Sequence, residues 1–174
     1  MAVLKIYNDI VDDQEKLVLQ EAGTDSTTFS DIRDFISNLS PDDPDIDIRL
    51  HCDGGDCVEG WSIYDALRQT DKKISATVEG KCSSIATIIL LTAPLERRYA
   101  YRNASICIHN PALAGYEVRS ERLTFEELEQ QADKMRNLAS QLRVETGKLL
   151  DLYVSRTGSD RKLLSELMDK DIYI

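Results

Sequence analysis

Twice along this chain a short alternating segment runs into a break of small residues and then into a helical stretch, an order that leaves few folds open. IDIRL, Ile46 to Leu50, alternates apolar and polar, meets the glycine pair of HCDGGD and continues as GWSIYDALRQ. ISATVEG, Ile74 to Gly80, alternates in the same way and passes through CSS into an apolar helix ending near Pro94. A period of two giving way to a helical period predicts strand, turn, helix. Repeated, that unit predicts an α/β domain with a largely parallel sheet and its sites at the carboxyl ends of the strands.

The flanking sequence fits this frame. Val3 to Tyr7 reads as an opening strand. Phe29, Ile32, Phe35, Ile36 and Leu39 then fall at helical spacing, with Pro41 closing the segment. ASICIHNP reads as a further strand ending in His109. Thr124 opens a long helix with a capping box to Glu127, a staple between Leu123 and Leu128, and apolar positions at Leu128, Ala132, Met135, Ala139 and Leu142. The 174 residues suit a single domain with a substantial core, without internal repeats or low-complexity linkers.

Three groups lie at predicted strand ends, and each carries two readings. Gly54 and Gly55 suit a tight turn needing positive φ, or a main chain that approaches a reacting carbonyl with its N–H groups. Ser83 and Ser84 suit a helix cap, or a nucleophile where strand meets helix. His109 suits a structural histidine, or a general base if a serine and a carboxylate converge on it.

Composition removes other classes. Asp plus Glu outnumber Lys plus Arg by 31 to 21, a net charge of -10 that repels phosphate backbones and anionic bilayers, so nucleic acid and membrane are not expected partners. The apolar run Ile85 to Leu91 is too short for a membrane span and the first residues lack a signal-peptide core, which predicts a cytoplasmic protein. Cys52, Cys57, Cys82 and Cys107 show neither C-x-x-C spacing nor a histidine pair, so they read as reduced core residues, and neither metal nor cofactor is expected. Cys82, beside the serines, is the alternative nucleophile.

HCDGGDCVEGWSIYDAL, GKCSSI, HNP and TGKLLDLYVSRTGSDR occur in the order in which the Clp protease proteolytic subunit (ClpP) family carries its glycine turn, nucleophile, histidine and acid. The chain resembles that family over nearly its whole length, most closely the phage and prophage relatives that act as head maturation proteases. The resemblance implies a ClpP/crotonase-type spiral of β-β-α units with a long handle helix, and a serine endopeptidase acting on polypeptides as a homo-oligomeric ring. It implies Ser84 as nucleophile, His109 as base, Asp160 as the acid of the triad, and the N–H groups of Gly55 and Ile85 as the oxyanion hole.

Three departures qualify the resemblance. The chain starts almost on its first strand, without the segment that meets the ATPase partner in housekeeping enzymes, which leaves dependence on an unfoldase open. ALAGYEVRSERLT keeps one glycine where the family has several, and the chain stops at DKDIYI where relatives continue. A coenzyme A-dependent hydratase or isomerase, which shares the spiral fold, and an inactive ring scaffold are the rival readings.

Overall fold

The computed structural model describes residues 1–43, 45–113 and 123–170. Strands β1 (Ala2–Ile6), β2 (Asp45–Cys52), β3 (Lys73–Ser83), β4 (Arg98–Ala100) and β5 (Ser105–Cys107) form one sheet in the order β1-β2-β3-β4. Every pairing is parallel. Strand β3 carries two partners end to end along one edge, β4 opposite Ala76–Val78 and β5 opposite Lys81–Ser83.

The alternation in β2 explains its place beside β3. Ile46, Ile48 and Leu50 are fully buried, while Asp47 and Arg49 point the other way and pair at 2.6 Å. The helices are α1 (Asp13–Glu21), α2 (Phe29–Ser37), α3 (Cys57–Gln69), α4 (Ala86–Leu90), α5 (Phe125–Thr157) and α6 (Arg161–Met168). Ile63 and Leu67 of α3, Ile88 and Ile89 of α4, Leu149 and Tyr153 of α5, and Leu164 and Met168 of α6 complete one core with the strand residues.

Start signals act as the sequence suggests. Thr28 and Asp31 form a capping box on α2, and Thr124 and Glu127 form the expected one on α5. Helix α1 has no counterpart in the sequence reading, because it buries none of its residues and so lacks an apolar stripe; Asp12 caps it.

Three boundaries differ from expectation. Strand β3 continues through Gly80 to Ser83, since its last residues find β5 as a partner. Helix α4 has only five residues, and the apolar stretch after it bends through Leu91 and Thr92. Strand β5 stops at Cys107, two residues short of His109. The apolar positions expected on the long helix lie largely outside the core, with Leu128 53% and Met135 42% exposed, whereas the buried residues of α5 are Leu149, Leu150 and Tyr153.

Candidate active site

Strand β3 delivers Ser84 to the head of α4 in an unusual conformation. Its φ is +55°, the one positive value among the described non-glycine residues. The left-handed region costs an L-residue roughly 1–2 kcal/mol, so the surroundings must hold it there. The Ser84 N–H donates to the Cys107 carbonyl of β5 at 2.9 Å, and its own carbonyl accepts from the Thr87 N–H at 3.0 Å and the Thr87 hydroxyl at 2.5 Å. Because the Thr87 proton is used there, the Tyr153 hydroxyl, 2.6 Å away, is the donor to Thr87 Oγ1. A tyrosine of α5 thus braces the turn.

Neither serine caps α4 through its side chain. The N-cap residue is Ile85 and makes no side-chain bond, while Ser83 is buried and its hydroxyl has no hydrogen-bond partner among the described residues. Ser84 is the less buried of the two.

The glycine turn packs directly on this junction. Gly54 has φ +108°, and a methyl group there would stand 2.6 Å from Ser84 Cβ and 3.2 Å from Ile85 N. Gly55 has φ +137°, and a methyl group there would stand 1.9 Å from the Ile10 carbonyl oxygen. The segment at Ile10 clamps the turn: the Ile10 N–H donates to Gly54 O and the Asp56 N–H donates to Ile10 O, both at 2.7 Å. The N–H groups of Gly55 and Ile85 find no hydrogen-bond partner among the described residues, as donors reserved for a ligand would. Ile85 is held from behind by α3, where its side chain fills the space that a Cβ on Gly60 would need.

Cys52, read from sequence as core filling, belongs to the turn. Its thiol lies 3.1 Å from the Asn8 carbonyl and accepts from the Gly54 N–H at 3.3 Å. Burial pushes this thiol up to about 11 and raises that of Cys82 as well, so both are held protonated at neutral pH.

His109 follows β5, half-buried, with Nδ1 2.7 Å from the Asn110 carbonyl oxygen. Asp160 immediately precedes the last described helix. It is the exposed N-cap of α6 and accepts from the Leu163 N–H at 2.9 Å. Among the described residues no hydrogen bond or ion pair links Ser84 to His109, or His109 to Asp160. Of the two threonine–glycine pairs in TGKLLDLYVSRTGSDR, Thr146–Gly147 lies inside α5 and Thr157–Gly158 ends it, with Gly158 at φ +70°.

A groove of about 1070 Å³ opens beside Gly55. Ile10, Trp61, Leu113 and Leu142 supply apolar walls, and Asp9 and Glu145 supply carboxylates. Pro111, two residues after His109, closes one side. Among the described residues no cluster of His, Cys, Asp and Glu could hold a metal ion.

A sequence model of the family described as Clp protease matches residues 2–174. The chain belongs to the Clp protease family. It is 26% identical over 170 residues to an ATP-dependent Clp protease proteolytic subunit of Aethionema cordifolium, covering 97% of this chain and 80% of that one. It is 25% identical over 170 residues to the chloroplastic ATP-dependent Clp protease proteolytic subunit 1 of Arabidopsis thaliana, with the same coverage. Its fold matches that of a ClpP1 point mutant from Listeria monocytogenes with a TM-score of 0.71 at 17% identity, over 99% of this chain and 81% of that one. The fold is therefore the ClpP-like α/β fold, with a parallel sheet and a long helix toward the C-terminus. Among the described residues, no helix of this Clp family chain is long and apolar enough to cross a membrane.

Sequence reasoning missed Thr87, Tyr153 and Asn110 as parts of the site. Thr87 carried no signal beyond its place three residues after Ser84. Tyr153 had none, since its contact spans 66 residues of sequence.

Proposed function

We propose that the chain is a serine endopeptidase of the Clp type, with Ser84 as nucleophile, His109 as general base and then acid, and Asp160 as the carboxylate that orients the imidazole. The observation that supports it is the junction itself: a serine in left-handed conformation between strand and helix, packed on a glycine turn, with the N–H groups of Gly55 and Ile85 beside it unpartnered among the described residues. In this reading Ser84 Oγ attacks the scissile carbonyl carbon and its proton passes to His109 Nε2. The oxyanion is held by the two N–H groups, the C–N bond breaks, and the amine leaves with the proton from His109. Water then repeats the sequence on the acyl-enzyme. In related sites one oxyanion donor is worth about 2.7–4 kcal/mol of barrier.

The groove beside Gly55 suits substrate side chains. One domain spanning residues 1–174, a cytoplasmic location with reduced cysteines, and processing of phage or prophage capsid proteins complete the proposal, the last following from the resemblance to head maturation proteases. The exposed apolar positions on α5, Leu128 and Met135, fit assembly of several copies into a ring. Light scattering at micromolar concentration is expected to give an oligomeric mass, and a monomer would refute the assembly.

The chemical test is treatment with a fluorophosphonate followed by peptide mapping. The adduct is expected on Ser84 and not Ser83, and Ser84→Ala is expected to abolish it. Equal labelling of Ser84→Ala and parent refutes the assignment, and acyl-CoA turnover by an unlabelled chain would move the protein to the hydratase class.

A further inference from the structure

We propose that the cavity at the start of β3, between the end of α3 and the turn after α4, binds a short phosphate-chain anion. It lies at the other end of β3 from Ser84 and stands apart from the peptidase reading.

The cavity has a volume of about 430 Å³. Arg68 of α3, Lys72 and Lys73 at the head of β3, Arg97 just before β4 and Arg156 of α5 line it, against one carboxylate, Glu96. Five cations to one anion reverses the balance of the whole chain, whose net charge is -10. Among the described residues only Arg97 of the five has an ion-pair partner, Asp45 at 3.2 Å.

Part of this charge has a structural use. Arg156 donates to the carbonyls of Leu91 and Ala93, each at 2.9 Å, and Arg98 beside it donates to those of Ala93 at 2.9 Å and Arg156 at 2.8 Å. These two guanidiniums tie α5 to the turn after α4. A carbonyl orients a guanidinium without neutralising it, and burial together with the Arg156 charge holds Arg98 below the usual guanidinium range.

Anchoring the turn does not account for the other cations. Arg68 reaches it through one bond of 3.4 Å to the Thr92 carbonyl, and the Lys72 ammonium donates to the carbonyls of Pro41 at 3.2 Å and Ser40 at 3.4 Å. Lys73 is exposed. Arg97 Nη1 is buried with no hydrogen-bond partner among the described residues. Four separate parts of the fold thus hold like charges around one space, and an anion entering it turns their repulsion into attraction.

Phosphate chemistry fits these groups. A guanidinium presents paired N–H groups to two phosphate oxygens, and an ammonium adds a point charge. The apolar wall is aliphatic, from Leu67, Ile74 and Pro94, with no aromatic ring among the described lining residues to stack on a nucleobase. Several cations in one cavity suit several charges on one ligand, as in pyrophosphate or tripolyphosphate.

The test is isothermal titration calorimetry of the full chain with sodium tripolyphosphate in metal-free buffer. One site per chain is expected, with Kd below about 1 mM. The melting point is expected to rise by about 8 °C at about 100 times Kd. Arg68→Ala and Lys73→Ala are each expected to weaken binding about 10-fold, the scale of one lost bond to a charged group. Lys162→Ala removes an exposed lysine of α6 outside the cavity and is expected to keep the parent affinity.

ATP separates the two sources of a phosphate chain. Equal affinity for ATP and tripolyphosphate supports recognition of the chain alone, whereas ATP bound about 10-fold more tightly means that the base is recognised and overturns the assignment. Citrate bound as tightly as tripolyphosphate overturns the phosphate class. The site itself is overturned by no heat of binding at about 10 mM, by parent affinity in the Arg68→Ala/Lys73→Ala pair, or by an equal loss in Lys162→Ala. An equal rise in melting point with sodium chloride at matched ionic strength also overturns it. If Arg68→Ala fails to fold by circular dichroism, Lys73→Ala decides.

Discussion

Replacing Gly54 with alanine measures how tightly the glycine turn presses on the nucleophile junction, and Gly23 supplies the control. Both glycines have positive φ, +108° and +77°, so both substitutions incur a backbone cost, about 1–2 kcal/mol in the left-handed region. They differ in space. A methyl group on Gly23 meets nothing within 4 Å, whereas on Gly54 it would stand 2.6 Å from Ser84 Cβ and 2.9 Å from the Ser83 carbonyl oxygen. Neither neighbour can retreat freely, because the Ser84 N–H is tied to Cys107 and its carbonyl to Thr87. Forcing one carbon into a packed site of this kind costs about 1–3 kcal/mol. At about 3 °C per kcal/mol for a chain of this size, Gly54→Ala is expected to melt about 6 °C below Gly23→Ala. Thermal unfolding followed by circular dichroism at equal protomer concentration reads the difference, and the fluorophosphonate labelling rate well below both transitions is expected to fall only for Gly54→Ala. Melting points that agree to about 1 °C, with equal labelling, would show that the turn does not bear on Ser84.

Two further outcomes are expected. Tyr153→Phe removes the donor to Thr87 and is expected to destabilise the chain by about 1 kcal/mol and to slow labelling of Ser84; an unchanged melting point and rate would remove the tyrosine from the brace. The Cys52 thiol, held up near 11 by burial, is expected to resist alkylation in the native chain at neutral pH. The folded state keeps this proton where an unfolded thiol, at about 8.5, has lost it, so stability present below about pH 8.5 is lost as pH rises toward 11. Native alkylation of Cys52 at pH 7 at the rate of a free thiol contradicts this.

The parts of the site legible in the sequence are those that act through neighbours along the chain. Gly54 and Gly55 announce a turn, and the serines at the end of an alternating strand announce a junction. Thr124 and Glu127 form their box because three residues separate a cap from its partner in any helix. Each depends on spacing within a few residues, which a sequence states directly.

What sequence could not decide was which distant groups meet. The sequence holds two threonine–glycine pairs in this region, and only the fold puts Thr146–Gly147 inside α5 and Thr157–Gly158 at its end. Asp160 and Asp169 are both carboxylates at the limits of α6, and it is the packing of Met168 into the core that carries Asp169 to Asn110 while Asp160 turns to its own helix. Ser84 could have been a cap or a nucleophile by local rules alone. Its left-handed φ is maintained by Cys107 from β5 and, through Thr87, by Tyr153 from α5, contacts whose energy exists only once sheet and helix have closed on one another. Local geometry is written residue by residue, while the convergence of side chains is a property of the packed core.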